Sequence, residues 1–347
     1  MNRQAAVGHP PKNIRLAIIG CGAIAETGHL PGALMVPEVE LSVLVDKDLA
    51  RAQNLAAQFG ALTVTDSLAG IEKLAEAAIL CLPHHLHCPV ALDLMARGLH
   101  ILVEKPMALS TDECDQMIAA SQRAGVVLAV GLMRRYFRCA VFLKQVLTSQ
   151  VLGAVKKFRI EDGGAYAWPS ASPFVLSKAH SGGGVLMGNG SHVMDSLIWW
   201  FGEPQSISCF TNADGGMETD ATVEMIMPGG ALGTVELSRT RSLANRTQVW
   251  AERGYIEIPL YGDRVTLQLA GVAHSLAGQA KSIADHGDQD LTCVLADQLR
   301  DWVCAMRRSP STLVTGPESR RSIALIENCY RHAQPLPESW SPSMKLV

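Results

Sequence analysis

No apolar run in this sequence of 347 residues approaches the ~20 residues that a membrane-spanning helix needs. A marked charge imbalance is also missing, because the formal net charge is −3. Neither a nucleic acid nor a membrane surface is therefore indicated as a partner. Internal repeats and low-complexity segments are absent too. The 48% of apolar and 18% of charged residues are typical of a globular protein with sizeable cores.

The nine cysteines lack the spacing of a disulfide framework. Their number is odd and no secretory signal peptide is recognisable, so we expect reduced thiols and a cytoplasmic protein. Histidine and cysteine side chains crowd into the segment PHHLHCPV, which raises the alternative of a metal site. Because no second cluster supplies the remaining ligands, we expect no metal there.

The first third of the chain alternates strand-like and helix-like segments. Its short apolar runs, rich in β-branched residues, are NIRLAIIG, VELSVLVD, AAILCLP, HILVEKP and GVVLAVG. The helical segments between them end in glycine, and Ser110 or Thr111 is placed to cap one of them. Such alternation is typical of βαβ units. The sequence therefore predicts an α/β fold with a doubly wound parallel sheet of the Rossmann type.

Beyond residue 150 the pattern changes to short alternating strands, with helical periodicity returning at 290–308 and 317–332. This predicts an α+β domain with a large open, mostly antiparallel sheet. We expect an apolar free face covered by a second subunit, in a homodimer or homotetramer. The predicted division is a flexible tail at 1–11, a Rossmann domain at 12–133 and a substrate-binding and oligomerisation domain at 134–347.

The segment GCGAIA follows the first strand and opens a helix. Gly20 suits a tight turn, and Gly22 lets the backbone approach a pyrophosphate. The helix N-terminus that follows, at Ala23 and Ile24, offers free N–H groups to phosphate. The alternative is a glycine turn in a parallel α/β fold that binds another ligand.

Asp46 ends the next predicted strand and makes the dinucleotide interpretation more specific. A carboxylate at this place binds a ribose 2′-hydroxyl and repels the 2′-phosphate of NADP. Lys47 is the neighbouring cation and compensates little for that repulsion. We therefore expect NAD as the cofactor, with NADP as the alternative.

Glu104-Lys105-Pro106 closes another predicted strand, so Lys105 points from the carboxyl edge of the sheet, where ligands bind in such folds. A partly buried lysine has a lowered pKa and suits proton exchange with a substrate hydroxyl beside a nicotinamide. The alternative is an ordinary solvated pair at a strand end. The position behind a dinucleotide fingerprint favours the first interpretation.

Several segments together resemble one known family; they are GCGAIAETGHLPGAL, CLPHHLHCPVALDLMARGLHILVEKPMALS, AVGLMRR, GGGVLMGNGSHVMD and ADQLRDWVCAM. In this order they resemble the glucose-fructose oxidoreductase / inositol dehydrogenase / rhizopine catabolism (Gfo/Idh/MocA) family over nearly the whole chain. The resemblance implies a Rossmann domain, a C-terminal domain whose open sheet forms oligomer contacts, and NAD(P)-dependent oxidation or reduction of sugars, cyclitols and related compounds. It places Lys105 and His192 at the reacting hydroxyl, and the PHHLHCPV loop against the nicotinamide.

We therefore expect Lys105 and His192 to be catalytic. The expected cofactor-binding residues are Gly20, Gly22, Ala23, Ile24, Asp46, Lys47, Leu82, Pro83, His84, His87, Glu104 and Lys105. The expected substrate-binding residues are Arg135, Tyr166, Trp168, Asn189 and His192. Each of the substrate-binding set has a structural alternative: a solvated helix start for Arg135, a surface aromatic for Tyr166 and Trp168, and a satisfied core histidine for His192.

The family's usual pattern has an aspartate where this chain has Gly188. Loss of a charged hydrogen bond there costs ~1.5–3 kcal/mol, or about one to two powers of ten in rate. Three interpretations follow. A neighbouring residue replaces the carboxylate, the candidates being Asn189, Asp195, Glu161 and Asp162. Alternatively the substrate carries a group that fills the space, such as a carboxylate, or catalysis is lost and the protein is a non-catalytic NAD- or sugar-binding regulator.

The sequence as a whole predicts an NAD-dependent oxidoreductase. Its substrate would be a polyhydroxylated ring: a sugar, glycoside, nucleotide sugar or cyclitol. Hydride would pass between a ring carbon and nicotinamide C4. A further alternative keeps NAD bound through a full cycle of oxidation and reduction.

Overall fold

The computed structural model describes residues 13–337 apart from 168, 170, 214–216, 272–275 and 280–288. The predicted N-terminal tail and Trp168 lie outside the described residues. The strands are β1 (Ile14–Ile19), β2 (Val39–Val45), β3 (Thr63–Thr65), β4 (Ala77–Leu80), β5 (His100–Val103), β6 (Leu128–Val130), β7 (Val155–Gly163), β8 (Ser206–Thr211), β9 (Asp220–Ile226), β10 (Leu232–Ser238), β11 (Arg246–Ala251), β12 (Gly254–Pro259), β13 (Arg264–Leu269), β14 (Leu276–Gln279) and β15 (Ala333–Pro335).

The helices alternate with the strands of the first sheet and flank the second. They are α1 (Leu30–Leu34), α2 (Leu49–Phe59), α3 (Ile71–Leu74), α4 (His87–Ala96), α5 (Thr111–Ala124), α6 (Arg138–Thr148), α7 (Lys178–Ser181), α8 (Val185–Gly188), α9 (Gly190–Phe201), α10 (Leu291–Met306) and α11 (Gly316–Arg331). Ser110 caps α5 by accepting a hydrogen bond from the Glu113 N–H. Of the two candidate caps, Ser110 and Thr111, it is therefore Ser110 that has this role.

The first sheet is parallel throughout, in the order β3-β2-β1-β4-β5-β6, which confirms the predicted Rossmann-type fold. Strands β1 and β4 are almost fully buried, as expected for a sheet that carries helices on both faces. Strand β3 escaped the sequence pattern because its three residues are only partly buried. The carboxyl ends of β1, β4 and β5 meet at one edge, which is where ligands bind in such sheets.

Helix α10 follows β14 of the second sheet in sequence but packs against the first sheet. Its Leu299 and Trp302 belong to the same apolar cluster as Leu16 and Ile18 of β1. Near its start, the side chain of Leu295 lies against Gly28, and a β-carbon on Gly28 would collide with it. The core under the glycine loop is therefore completed by residues from the far end of the chain.

The second sheet has the order β14-β13-β12-β11-β7-β10-β9-β8-β15. Its pairs are antiparallel except β7 with β10 and β8 with β15. This confirms a large, mostly antiparallel sheet. Sequence periodicity predicted β7 to β13, whereas β14 and β15 are short edge strands that it missed. The parallel pairing brings the carboxyl ends of β7 and β10 together.

The free face of this sheet corrects one expectation. Alternation along β7 turns Phe158 and Ile160 towards the core, while Arg159 and Glu161 turn outwards. Arg159 binds Glu236 at 2.7 Å on the neighbouring strand, and further ion pairs continue across the face. Ion pairs on β7, β10, β11 and β12 therefore occupy much of this face in place of the broad apolar surface that we expected, although Ile226 and Leu232 are exposed on the same face. Its coverage by a second subunit stays a prediction. Among the described residues, no helix is long and apolar enough to cross a membrane.

Candidate functional site

The glycine turn after β1 has the geometry expected of a phosphate-binding loop. Gly20 has φ +93°, and a β-carbon there would collide with the Cys81 carbonyl oxygen. A β-carbon on Gly22 would meet only the Ala171 Cβ, at 3.9 Å, so the backbone of Gly22 is open to a close approach. The helix that starts at Ala23 runs through a π-helical turn into α1 and presents its N-terminus at this opening.

The Asp46 carboxylate lies beside the turn. It accepts hydrogen bonds from the Cys21 N–H at 2.7 Å and from the Asp48 N–H at 2.8 Å. Its nearest cation is Arg51, at 3.9 Å, whereas Lys47 is exposed. A carboxylate oriented by the loop's own backbone fits a ribose diol, so the residues present fit a dinucleotide with a free 2′-hydroxyl.

Glu104 is buried at the end of β5 and forms an anchor for the turn that carries Lys105. Its Oε1 lies 2.8 Å from His29 Nε2, and its Oε2 accepts the backbone N–H of Lys105 at 3.1 Å. Burial opposes its charge, but His29 and the Lys105 ammonium hold its pKa below the ordinary value. Glu104 therefore orients the strand end, and its partner His29 is a residue that the sequence did not single out.

Lys105 reaches across to the α8–α9 segment, where its Nζ lies 3.5 Å from the Gly188 carbonyl oxygen. Burial lowers the pKa of this lysine, and the charges of Arg134 and Arg239 lower it further. Glu104 and Asp162 act in the opposite direction. The result is an amine that loses its proton more readily than a free lysine, as a proton-exchanging group requires.

His192 lies on the first turn of α9 and is buried. Its Nδ1 has no hydrogen-bond partner within the part of the chain that the structure describes. Burial lowers the pKa of His192 well below its ordinary value, and the charges of Lys105 and Arg134 add to the effect. The imidazole is therefore neutral at pH 7 and free to bind a substrate oxygen, in contrast to a satisfied core histidine.

The glycine-rich run before α8 is shaped by a buried carboxylate. Glu218 Oε1 accepts the N–H groups of Gly184 and Leu186, each at 3.0 Å, and the Tyr330 hydroxyl at 2.7 Å. This interaction caps α8 in the way that a negative charge stabilises a helix N-terminus. The run is thus a tight turn before a buried helix, and the same turn delivers Gly188 and His192 to Lys105.

Arg239 lies where the side chain of residue 188 would be. A β-carbon on Gly188 would collide with the terminal Nη2 of Arg239 and lie 3.3 Å from its Cζ. The guanidinium carbon is also 5.0 Å from the centre of the Tyr166 ring. Sequence reasoning missed Arg239, since a single arginine after a strand carries no signal of its own.

Four residues were candidates to replace the missing carboxylate, namely Asn189, Asp195, Glu161 and Asp162. The structure shows that each binds another residue or lies away from Lys105. Asp162 accepts a hydrogen bond from Arg134 at 2.7 Å and a longer one, 3.4 Å, from the Asn189 amide. Glu161, on the opposite face of β7, binds Arg246 at 3.0 Å. Asp162 alone lies close enough to influence Lys105, and it is already neutralised.

Asp195 and Arg135 form a buried ion pair. The Nε and Nη2 of Arg135 donate to the two carboxylate oxygens at 2.8 and 2.6 Å, and Nη1 donates to Glu318 at 2.9 Å. All three nitrogens of the guanidinium thus have protein acceptors. This geometry favours a structural role for Arg135 over the substrate binding that we expected, and it ties Asp195 to Arg135 instead of His192.

The histidine-rich loop is held by backbone carbonyls. His84 Nδ1 lies 2.8 Å from the Ser181 oxygen, and burial lowers its pKa to about 3. Both ring nitrogens of His87 face carbonyl oxygens, of Pro106 at 2.8 Å and Leu82 at 2.9 Å. The loop thereby fixes Leu82 and Pro83 next to the glycine turn. No metal-binding group of side chains occurs among the described residues.

Comparison with known proteins gives matches over both parts of the chain. The description "Oxidoreductase family, NAD-binding Rossmann fold" matches residues 14–132, and that of the GFO/IDH/MocA C-terminal domain matches residues 141–257. Trans-1,2-dihydrobenzene-1,2-diol dehydrogenase of Mus musculus is 27% identical over 254 residues, 71% of this chain and 74% of the relative. D-glucoside 3-dehydrogenase of Escherichia coli strain K12 is 27% identical over 193 residues, 55% of each chain.

A solved structure shows the same fold. Aldose-aldose oxidoreductase from Caulobacter crescentus, complexed with glycerol, has a TM-score of 0.81 at 22% identity, over 92% of this chain and 97% of that chain. The predicted class, an NAD(P)-dependent dehydrogenase, agrees with the names of these relatives. The sheet order, the glycine turn and both family matches lead to one conclusion: the chain belongs to the Gfo/Idh/MocA oxidoreductase family, with an NAD-binding Rossmann fold in its N-terminal part.

Proposed function

We propose that this protein oxidises or reduces one ring carbon of a polyhydroxylated compound: a sugar, glycoside, nucleotide sugar or cyclitol. The observation that carries the proposal is the convergence of Lys105 and His192 at Gly188. Lys105 has a lowered pKa. His192 is buried, and its Nδ1 has no hydrogen-bond partner among the described residues. Two proton-handling groups of this kind at the carboxyl edge of a Rossmann sheet suit an alcohol–ketone interconversion.

The cofactor would be NAD. Gly20, Gly22, Ala23 and Ile24 would hold its pyrophosphate, and Asp46 its adenine ribose. Bound NAD supplies a hydride acceptor, and NADH a hydride donor. The loop of Leu82, Pro83, His84 and His87, with Glu104 and Lys105, would border the nicotinamide. In this scheme residues 12–133 bind the cofactor, and 134–347 supply the substrate pocket and subunit contacts.

In the oxidation direction, the proton of the substrate hydroxyl passes to the neutral Nζ of Lys105. The hydride leaves the carbon that bears this hydroxyl and would pass to NAD. In reduction, the Lys105 ammonium returns that proton to the forming alkoxide. His192 donates or accepts a hydrogen bond at the same oxygen and fixes its position. Glu104 and His29 keep the Lys105 backbone in place throughout, because both are buried and bound to each other.

The test is turnover of Lys105→Met and His192→Asn variants, followed by nicotinamide absorbance at 340 nm with a panel of sugars, glycosides, nucleotide sugars and cyclitols. Loss of proton transfer at Lys105 should lower kcat by about 10²–10⁴-fold. Lys156→Met removes an exposed lysine that binds Glu252, far from Lys105 in the sequence, and serves as the matched control. NAD affinity, measured by calorimetry, should remain within a few-fold of the original. Unchanged turnover in Lys105→Met contradicts the proposal, and tight NAD binding with no turnover on any substrate supports a non-catalytic regulator instead.

A further inference from the structure

Arg239 is held firmly at the site by its backbone. It directly follows β10, its N–H donates to the Thr219 carbonyl at 2.8 Å, and its own carbonyl accepts the Tyr166 N–H at 3.1 Å. The Tyr166 ring covers one side of the guanidinium. The guanidinium of Arg239 therefore lies against Gly188. The carbonyl oxygen of the same glycine is 3.5 Å from Lys105 Nζ.

Among the described residues, Arg239 has no anionic partner. Its Nε is buried and makes no hydrogen bond within the described ranges of the chain, and no ion pair forms there either. A buried donor of this kind costs free energy unless a ligand or water accepts its hydrogen bond. Arginine does not lose its charge in proteins, so deprotonation offers no relief. The guanidinium is thus prepared for an acceptor that the described residues do not supply.

The local balance of charge points to an anion. Arg134, Arg239 and Lys105 bring positive charge, whereas the nearby carboxylates are Glu104, bound to His29, and Asp162, bound to Arg134. Burial lowers the pKa values of His84, His87 and His192, so these three side chains contribute no positive charge at neutral pH. While Lys105 carries its proton, the three cations exceed the two carboxylates by one charge, and Arg239 is the cation that lies in place of the family's aspartate.

We propose that Arg239 is a specificity-determining residue that binds a carboxylate of the substrate, so that the preferred substrate is a polyhydroxylated ring acid. This inference rests on the proposed function. Gly188 is small enough to leave room for the guanidinium, and its carbonyl holds Lys105 close by. The carboxylate therefore lies within a few bonds of the reacting hydroxyl. The planar fork of arginine matches a carboxylate with two parallel hydrogen bonds.

The test compares compounds that differ at one carbon: D-glucose, D-glucuronate and D-glucose 6-phosphate, and the corresponding galactose compounds. Two measurements are made on each, kcat/KM at 340 nm and the dissociation constant from the NADH-loaded protein by calorimetry. We expect the acids to exceed their neutral counterparts by about 10–100-fold, the worth of a charge-assisted hydrogen bond. Arg239→Gln should bring this ratio close to one without changing NAD affinity.

Arg241→Gln is the matched control. Arg241 lies two positions further along the same segment, but it binds Asp220 at 2.9 Å and Glu236 at 3.0 Å. Its loss should leave the acid-to-neutral ratio unchanged. Neutral or phosphorylated compounds that bind as well as the acids, absence of acid binding, or a ratio unaffected by Arg239→Gln would overturn the inference. Acid binding that depends on Arg239, without any turnover, would retain the carboxylate site and reject the proposed function.

Discussion

The guanidinium of Arg239 lies beside Gly188, at the place from which a side chain of residue 188 would extend. The resemblance to the family predicts a negative charge there, and the structure has a positive one. Of the three interpretations of Gly188, this contact supports a substrate that carries the missing group. Replacement by a nearby carboxylate is less well supported, because Asp162 and Asp195 are bound to Arg134 and Arg135.

Gly188→Asp should pair the new carboxylate with Arg239 and neutralise the site. The end of the arginine side chain is flexible enough to move aside, so we expect the variant to fold. Acid substrates should lose about 10-fold or more in kcat/KM, the cost of one charge-assisted hydrogen bond. Gly188→Ala is the control, since it displaces Arg239 without neutralising it. Steady-state kinetics in which Gly188→Asp and Gly188→Ala behave alike would show that volume, and not charge, matters at this position.

The pH profile of oxidation should report the lowered pKa of Lys105. The neutral amine accepts the substrate proton, so kcat should rise with pH and level off below the ordinary value of 10.5. Reduction should show the opposite slope. Arg239→Gln removes a charge that lowers this pKa, and the midpoint should move to higher pH, whereas Arg241→Gln should leave it in place. The other charges at Lys105, namely Glu104, Asp162 and Arg134, remain in both variants. A midpoint that moves down in Arg239→Gln would contradict the assignment.

Asp46→Ser should weaken NAD binding by about 10–100-fold, because one charge-assisted hydrogen bond to the ribose is lost. NADP binding should improve, since the repulsion of its phosphate disappears and Arg51 lies within 3.9 Å of the altered position. Dissociation constants for both cofactors test this. Asp48→Ser is the control: Asp48 accepts the Arg51 N–H as the cap of α2, and serine keeps a cap there. Equal losses in both variants would show that helix α2, and not the ribose contact, is responsible.

Arg135→Gln should destabilise the fold more than it affects substrate binding. The variant leaves Asp195 buried without its cation, which costs about 3–5 kcal/mol of the free energy of unfolding. Arg320→Gln breaks an exposed pair with Asp115 and should cost less than ~1 kcal/mol. Denaturant unfolding measures both. Full stability of Arg135→Gln together with a raised KM would restore the role that the sequence first indicated.

Much of this site follows from contiguous motifs. Gly20 and Gly22, Asp46, and Glu104 with Lys105 each stand at the end of a strand that apolar periodicity already predicts. A parallel sheet brings such ends to one edge, so their proximity follows from the predicted topology alone. His192 joined them through its resemblance to the family, and its buried, unpartnered imidazole agrees with that placement.

The contacts that the sequence did not indicate are those between distant side chains. Arg239 reaches Gly188 because β10 pairs in parallel with β7, and no local pattern predicts that register. Arg135 illustrates the converse: the sequence placed it among the substrate-binding residues, but its guanidinium binds Asp195 and Glu318. Short-range pattern locates the backbone of a site, whereas the partner of each charged group depends on tertiary packing.

The packing of α10 on the first sheet affects how the chain acquires its structure during synthesis. A ribosome releases the glycine loop and β1 long before it releases Leu299 and Trp302, which complete their core. The part of this apolar surface that α10 covers therefore remains exposed until α10 has emerged. A fragment that ends after β6 would retain that exposed surface and tend to self-associate. The N-terminal part of this protein, although it resembles an independent unit, is a poor candidate for separate expression.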